Sequence, residues 1–268
     1  MKTIKLKAFI LIVLFANNVF AIDRDDRKKL ILAADYWCPY NCHPDSELPG
    51  FLVEVLSRSL HIYGIDIEYR MMPWRKAMDA LVDGEVDGVI GISDIKGNKL
   101  VTTRLPLDYS SISAFTRSDI AWVYDGVGSL RGKKLGFVMD YVIDEAISHY
   151  IGSNYPSHPD WFMVQDGKNA VIESIADLMD GYSDVYIEDA RVVERYLSEN
   201  ALTAIKNAGI VSKNKVPIYV AFSSKIPSIH KYIKHLEEGI ASLKATGEYD
   251  DIREKYQMDK EIELKHGL

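Results

Sequence analysis

An eleven-residue pattern that occurs twice limits what this chain can fold into. Residues 80–90 read ALVDGEVDGVI and residues 177–187 read DLMDGYSDVYI, with five identical positions. In each copy a Gly follows a helical run, and Gly often ends helices because it enters the left-handed region without a Cβ penalty. The apolar residues after it suit a short strand covered on both faces. The pattern predicts two similar α/β lobes, unless the likeness between two helix–strand units is chance.

The two copies also indicate where a ligand would bind. In open α/β sheets, ligands bind beyond the carboxyl ends of the strands. Ser93 and Asp94 come soon after the first repeated strand, and Glu188 and Asp189 follow the second. We therefore expect each copy of the pattern to border a binding site.

The N-terminal segment, residues 1–21, is predicted to be a secretory signal peptide. Three lysines precede an apolar run at residues 8–16, and Val19 and Ala21 are small residues at the positions required before a cleavage site. The run is too short to span a membrane, although an N-terminal anchor helix is the alternative. Ile22 rather than Cys follows the expected cut, so no lipid anchor is predicted. These features predict a soluble periplasmic protein.

The charge of the chain argues against some classes of partner. The formal net charge is −7, and removal of residues 1–21 with their three lysines makes it −10. An acidic protein without a basic stretch is not expected to bind nucleic acid or an anionic membrane surface. The chain is long enough for one large or two modest domains.

The chain contains two cysteines, Cys38 and Cys42. Export favours a disulfide between them, because such bonds persist in oxidising compartments. The enclosed loop is short, so the main effect of the bond would be to fix the shape of that loop. Two alternatives stay open at this point. One is haem attachment, at a spacing one residue longer than the usual Cys-x-x-Cys-His signature, and the other is a metal site that includes His43.

Two acidic residues stand where helices are expected to begin. Asp140 is predicted to cap a helix over Tyr141–Ile151, and Asp189 a helix over Ala190–Leu197. In both cases the carboxylate would accept hydrogen bonds from early backbone N–H groups.

Six short motifs follow one another along most of the chain. They are Asp35–Tyr40, Leu48–Phe51, Gly84–Ile90, Ser129–Gly136, Gly181–Asp189 and Ala245–Ile252. In this order they resemble the extracytoplasmic solute-binding proteins of family 3, the polar amino-acid type that feeds ABC importers. The resemblance covers about Leu30 to Met258.

The resemblance implies an α/β, two-lobed fold of the periplasmic-binding-protein type (type II). Two crossover segments would join the lobes, and the ligand would lie in the cleft between them. Lobe 1 would combine residues 22–116 with 216–268, and lobe 2 would be residues 117–215. The predicted strand Tyr109–Thr116 would lead out of lobe 1, and Val216–Phe222 would return to it. Hinge bending would close the cleft around the ligand.

In the family that this chain resembles, an Arg after the first repeated strand clamps the ligand carboxylate. Arg suits this role because its planar fork pairs with both carboxylate oxygens. The matching position in this chain is Lys99. Arg104 is nearby but out of register, and Arg75 belongs to the preceding helix. The expected clamp is therefore weakened or moved.

The other expected ligand contacts are partly altered. Asp140 and Tyr141 stand where the family has a Gly-Ser/Thr-Thr turn, and a carboxylate there would repel an anionic ligand. Asp189 matches the acidic residue that binds the ligand α-amino group, a role compatible with helix capping. Trp37 matches the family's stacking aromatic residue.

Aromatic residues on neighbouring segments add to this predicted cleft. Tyr40 and Trp74 are candidates for ligand contact, although each could instead be a core residue. Together with Asp94, Asp140 and Asp189 they favour a cationic or amine-bearing solute. The competing interpretation is that a basic residue clamps the carboxylate of an ordinary amino acid, with Arg75, Lys99 and Arg104 as the candidates.

The function that follows is capture of a small polar solute for an ABC importer by cleft closure. The expected partner is the importer's permease, with no cofactor and a monomeric binding protein. A ligand-sensing protein for a membrane receptor and an exported dehydratase-like enzyme on the same fold are the alternatives. Glu173 and His149 are the candidate acid–base residues, but no catalytic motif accompanies them, so an enzyme is not expected.

Overall fold

The computed structural model describes residues 28–93, 100–141, 143–212 and 214–258. The signal-peptide prediction, Asp94 and Lys99 lie outside these residues. The strands are β1 (Lys29–Ala34), β2 (Asp66–Met71), β3 (Gly88–Ile92), β4 (Leu100–Thr102), β5 (Asp108–Ser110), β6 (Ile112–Arg117), β7 (Leu135–Val138), β8 (Phe162–Gln165), β9 (Val185–Asp189), β10 (Ile205–Ile210) and β11 (Val216–Ser223). The α-helices are α1 (Phe51–His61), α2 (Trp74–Asp83), α3 (Glu145–Asn154), α4 (Ala170–Asp180), α5 (Ala190–Glu199), α6 (Ile229–Thr246) and α7 (Glu248–Lys255).

The strands form two sheets. The first sheet has the order β2-β1-β3-β11-β4, with β5 also paired to β11, and the second has the order β10-β6-β9-β7-β8. In each sheet, parallel strands are followed by an antiparallel one: β1 runs parallel to β2 and β3, and β3 antiparallel to β11. Likewise β7 runs parallel to β8 and β9, and β9 antiparallel to β6. The two sheets are therefore similar α/β units, as the repeat predicts.

Both copies of the repeat have the predicted local structure. Gly84 ends α2 at φ 84° and Gly181 ends α4 at φ 82°, both in the left-handed region. The strands that follow, β3 and β9, are almost entirely buried.

The second Asp of the repeat, Asp87 in one copy and Asp184 in the other, makes the same hydrogen bond in both sheets. Asp87 Oδ2 accepts a hydrogen bond of 2.8 Å from the backbone N–H of Ile31, and Asp184 Oδ2 accepts one of 2.8 Å from that of Lys134. Each carboxylate therefore ties the start of its strand to the strand beside it. The repeated residues are a folding unit, and the residues predicted to border the binding site come after them.

The chain crosses between the sheets twice. The segment Ser110–Ile112 leaves the first sheet, and the chain returns between β10 and β11. The residues at the two crossings are neighbours, since Ser110 pairs with Val216. The sequence predicts a single strand over residues 109–116 that leads out of lobe 1. Strand pairing instead divides them between β5 and β6, and β6 belongs to the second sheet. The lobe boundaries stay a prediction.

The helix predicted over Tyr141–Ile151 begins later than expected. It starts at Glu145, and Asp144 rather than Asp140 is its N-cap, accepting from Ala146 N at 2.9 Å. Asp140 has a positive φ of 63°, which turns the chain before the helix. The prediction was wrong because two acidic residues four positions apart both fit an N-cap, and only the turn at Asp140 selects Asp144. The other predicted cap is confirmed: Asp189 accepts from the backbone N–H groups of Arg191 and Val192.

The core packs around both sheets. One large cluster joins α1, α6 and the first sheet to α4 and α5 of the second. A second cluster lies on the other face of the second sheet, and a third packs α2 against the first sheet. No helix among the described residues is both long and apolar enough to cross a membrane.

Candidate functional site

A cavity of about 370 Å³ lies between the two sheets, at the carboxyl ends of β1, β3, β7 and β9. This is where parallel α/β sheets place their ligands, because the connecting loops leave a crevice beyond the strand ends. The volume is at the small end of the range for small-molecule sites. The lining combines residues that follow buried strands with others from α2 and from the two crossing segments.

Aromatic side chains form part of the cavity lining. Trp37, on the loop after β1, is 8% exposed, and its ring stacks on Tyr40 at 4.3 Å between centroids. Trp74 begins α2 and meets Tyr141 edge-on at 6.2 Å. Of the predicted ligand contacts, Trp37, Trp74 and Tyr141 line the cavity, whereas Tyr40 lies behind Trp37 and supports it.

The disulfide between Cys38 and Cys42 holds this loop, as predicted. It uses both thiols that the haem and metal alternatives require. Inside the loop, the backbones of Trp37 and Asn41 form an antiparallel bridge, which presents both side chains to the cavity. Among the described residues, no group of three or more His, Cys, Asp or Glu side chains could hold a metal ion.

Asn41 is a hydrogen-bonding residue of the cavity lining that was not predicted from the sequence. It is 1% exposed, and its Nδ2 donates to the carbonyl of Ile90 at 3.3 Å. Its Oδ1 is buried and has no hydrogen-bond partner among the described residues. A buried acceptor without a partner is costly, so a ligand donor at this position would be favourable.

Glu188 is the buried carboxylate of the second sheet that lines the cavity. It is 3% exposed and accepts hydrogen bonds from Trp37 Nε1 at 2.9 Å and from the Tyr186 hydroxyl at 2.8 Å. Burial raises the pKa of Glu188 to about 7, although these donors lower it in part. The hydrogen bond to Trp37 also crosses the cavity from one sheet to the other.

Asp35 is the matching buried carboxylate of the first sheet. It follows β1, is 3% exposed and accepts a hydrogen bond from the Tyr141 hydroxyl. Burial raises the pKa of Asp35 to about 7, with the Tyr141 hydrogen bond opposing that change. Asp35 and Glu188 thus bring two carboxyl groups to one cavity, and the described groups that donate hydrogen bonds to them are neutral.

Arg75 and Asp140 form an ion pair across the cavity. Arg75 Nε, on α2, donates to Asp140 Oδ2, after β7, at 2.9 Å. Both side chains are about half exposed, so the pair lies at the mouth of the cavity. We call the pairs Arg75–Asp140, Asp35–Tyr141 and Trp37–Glu188 the cross-cleft contacts.

Asp189 lies behind the cavity and is fully buried. Its Oδ2 accepts from Ser110 Oγ at 2.7 Å and from Ser111 N at 2.9 Å, while its Oδ1 caps α5. The Tyr40 hydroxyl also donates to it, at 3.2 Å. Asp189 therefore joins the first crossing segment to α5, and its neighbour Glu188 takes the position in the cavity lining.

Of the remaining predicted site residues that the structure describes, one lines the cavity and one lies away from it. Ser93 lines the cavity at the end of β3. Arg104 lies elsewhere, because its Nε and backbone N–H donate to Glu237 of α6 at 3.2 and 2.7 Å. Asp94 and Lys99 lie outside the described residues.

Several lining residues were missed although the sequence carried a signal for some. Glu188 stands directly beside Asp189 in the second repeat, and strand alternation could have separated their two roles. Asp35 follows a predicted strand end in the same way. Asn41 and Ser110 had no such signal, because tertiary contacts alone bring them to the cavity.

Comparison with known proteins agrees with this geometry. The family model of the bacterial extracellular solute-binding proteins, family 3, matches residues 30–259. The chain belongs to family 3 of the bacterial extracellular solute-binding proteins. This family and its structural neighbours are binding proteins rather than enzymes. A comparison with the curated proteins gave no match.

Solved structures similar to this family 3 protein share its two-lobed fold. One is a histidine kinase sensor domain with similarity to periplasmic binding proteins, at 22% identity and TM-score 0.72, covering 87% of this chain and 97% of that chain. Another is the arginine-, lysine-, histidine-binding protein of Geobacillus stearothermophilus, at 19% identity and TM-score 0.69, covering 85% and 94%. A third is the substrate-binding protein of an amino acid ABC transporter, at 19% identity and TM-score 0.66, covering 85% and 98%.

Proposed function

We propose that this protein captures a small cationic solute in its cleft and delivers it to the permease of an ABC importer. The observation that carries the proposal is the pair of buried carboxyl groups, Asp35 and Glu188. Their hydrogen-bond donors among the described residues, such as Trp37, Tyr141 and Tyr186, are neutral. Burying ionised carboxylates without a cation is costly, so a bound cation would stabilise both.

The aromatic lining supports the same solute class. Trp37 and Trp74 are the ring systems that attract cations most strongly. The Geobacillus stearothermophilus neighbour binds arginine, lysine and histidine, which also carry or acquire a side-chain cation. Family membership supports solute binding, while the ABC permease, the monomeric state, the periplasmic location and the division of the chain into two lobes are parts of this proposal.

Calorimetric titration tests the solute class. The panel would contain cationic, neutral and acidic amino acids, and small amines, at about pH 8, where both carboxyl groups are ionised. We expect the cationic members to bind and the acidic ones not to. Binding of neutral or acidic solutes alone would refute the proposal.

A sensing role is the second candidate, and the similarity to a histidine kinase sensor domain favours it. In that role the closed protein would contact a membrane receptor instead of a permease. Crosslinking of the liganded protein in membranes of its own organism, followed by mass spectrometry, distinguishes the two. Recovery of a receptor kinase without a permease would replace the importer role with the sensing role.

A further inference from the structure

We propose that the solute carries no carboxylate: the cleft takes a small amine or guanidine in preference to the amino acid that bears the same cationic group. This inference rests on the proposed function, which requires only a cation. It narrows the ligand to a class that the amino-acid-binding neighbours do not represent.

Three buried residues of the cavity offer hydrogen-bond acceptors to a ligand. Asp35 and Glu188 offer carboxyl oxygens, and Asn41 offers an amide Oδ1 without a partner among the described residues. An ammonium provides three donors and a guanidinium five, and neither has an acceptor. Such a group can satisfy acceptors on several sides of one small cavity.

Three hydrogen-bond donors in the cavity lining already donate to carboxyl groups of the chain itself. Trp37 Nε1 donates to Glu188, the Tyr141 hydroxyl to Asp35, and Ser110 Oγ to Asp189. A ligand carboxylate that took one of these donors would leave a buried acid without it. Losing such a bond costs more than a neutral hydrogen bond normally contributes.

The two groups that would bind a ligand carboxylate best already interact with carboxylates of the chain. One is a guanidinium, and Arg75, the single Arg or Lys in the described lining, is paired with Asp140 at 2.9 Å. The other is the N-terminus of α3, where Asp144 accepts the Ala146 and Ile147 N–H groups at 2.9 and 3.4 Å. Carboxylates of the chain occupy both positions.

The balance of charge points the same way. The described lining contains Asp35, Asp79, Asp140 and Glu188 against Arg75. A ligand carboxylate would enter an acidic, partly desolvated cavity in which like charges repel strongly. A ligand with only positive charge is attracted by the four acids, and Arg75 is the one charged group of the described lining that repels it.

Matched ligand pairs test the inference. Agmatine and arginine, cadaverine and lysine, and histamine and histidine each share a cationic group, and only the second member has a carboxylate. We expect the amine to bind at least about tenfold more tightly in calorimetry at about pH 8, since one unfavourable charge contact commonly has that effect. Equal or tighter binding of the amino acids would overturn the inference and leave the proposed cation-binding function standing.

Failure of every amine to bind would also overturn the inference. Glutamine and glutamate, titrated in the same series, then show whether the proposed function fails with it, because binding of these solutes alone excludes a cation site.

A variant gives a second, independent test. Asp140→Asn should free Arg75 to pair with a ligand carboxylate, so the preference for the amine should fall by about tenfold. Glu173→Gln is the matched control, because Glu173 is an exposed acid on α4 outside the cavity. An unchanged preference in Asp140→Asn would contradict the role given to the Arg75–Asp140 pair.

Discussion

At the scale of single residues, the adjacent acids Glu188 and Asp189 have different roles, one in the cavity lining and the other in the fold. Successive side chains of a strand point to opposite faces, so two adjacent acids at the end of β9 cannot serve the same site. Glu188 lines the cavity, and Asp189 binds Ser110, Ser111 and the start of α5. The resemblance to other family members pointed to Asp189, and the cavity lining points to Glu188.

Substitution of Glu188 should affect mainly ligand binding, whereas substitution of Asp189 should affect mainly stability. Glu188→Gln is expected to weaken binding of a cationic ligand about tenfold or more with little loss of stability, because it removes a charge that burial disfavours. Asp189→Asn is expected to lower the free energy of unfolding by about 1–2 kcal/mol, since it weakens a helix cap and buried hydrogen bonds. Titration calorimetry and urea unfolding measure the two effects, and the reverse pattern would return the ligand contact to Asp189.

The unliganded protein should lose stability as the pH rises from about 4 to about 7. Unfolded Asp and Glu have pKa values near 4, whereas burial raises those of Asp35 and Glu188 to about 7. Between these values the folded state holds more protons than the unfolded state, so the free energy of unfolding falls as pH increases. Urea unfolding at about pH 5 and about pH 8 measures this slope.

The double variant Asp35→Asn with Glu188→Gln should flatten that slope, while Glu173→Gln should leave it unchanged. If the free energy of unfolding of the double variant changed with pH as steeply as that of the wild type, other titratable groups would be its cause. Ligand affinity should change in the opposite direction and increase with pH over the same range, because a cation binds the ionised carboxylates.

At the scale of elements, the repeated helix–Gly–strand unit carries the architecture. Gly84 and Gly181 end their helices in the left-handed region, and Asp87 and Asp184 then fix the start of each following strand. The repeat thus determines where β3 and β9 begin. It thereby places Ser93 and Glu188 beside the cavity.

Gly84→Ala should lower the free energy of unfolding by about 1 kcal/mol, because an L-residue in the left-handed region is strained. The added Cβ meets no atom within 4 Å, so backbone strain is the main cost. Gly128→Ala is the matched control, since that position also has open space but no positive φ. Equal effects in urea unfolding would show that the conformation at Gly84 is not what matters.

At the scale of the whole molecule, the cross-cleft contacts hold the two sheets around the cavity. They lie at different depths, with Arg75–Asp140 at the mouth and the pairs that involve Asp35 and Glu188 buried. Hinge closure in two-lobed proteins needs such contacts to form only when the lobes approach. The exposed ion pair contributes little to stability by itself, so its main effect falls on the balance between open and closed forms.

Arg75→Gln should therefore increase the radius of gyration of the unliganded protein in small-angle X-ray scattering, with a smaller change when a cationic ligand is present. Arg104→Gln is the matched control, because its partner Glu237 packs on the same side of the cleft. A radius that is equal in wild type and Arg75→Gln, with and without ligand, would argue against closure through this contact.

The local sequence was sufficient for those elements whose signals are local. Helix ends at Gly84 and Gly181, the cap at Asp189 and the Cys38–Cys42 bond depend on residues a few positions apart, and each was predicted. The start of α3 was not, because Asp140 and Asp144 are equally good caps by type and spacing. The division of residues 109–116 into β5 and β6 also depends on partners far away in the chain.

The sequence by itself determined the two α/β units, the family and the strand ends that border the cavity, because a repeated pattern and motif order are properties of the chain alone. Only the tertiary structure decided which acids face the cavity and which side chains neutralise one another. Arg75 meets Asp140, and Tyr141 meets Asp35, across 65 and 106 residues of chain. Such distant pairings arise from the packing of the two sheets, and they determine the charge that a solute encounters in the cleft.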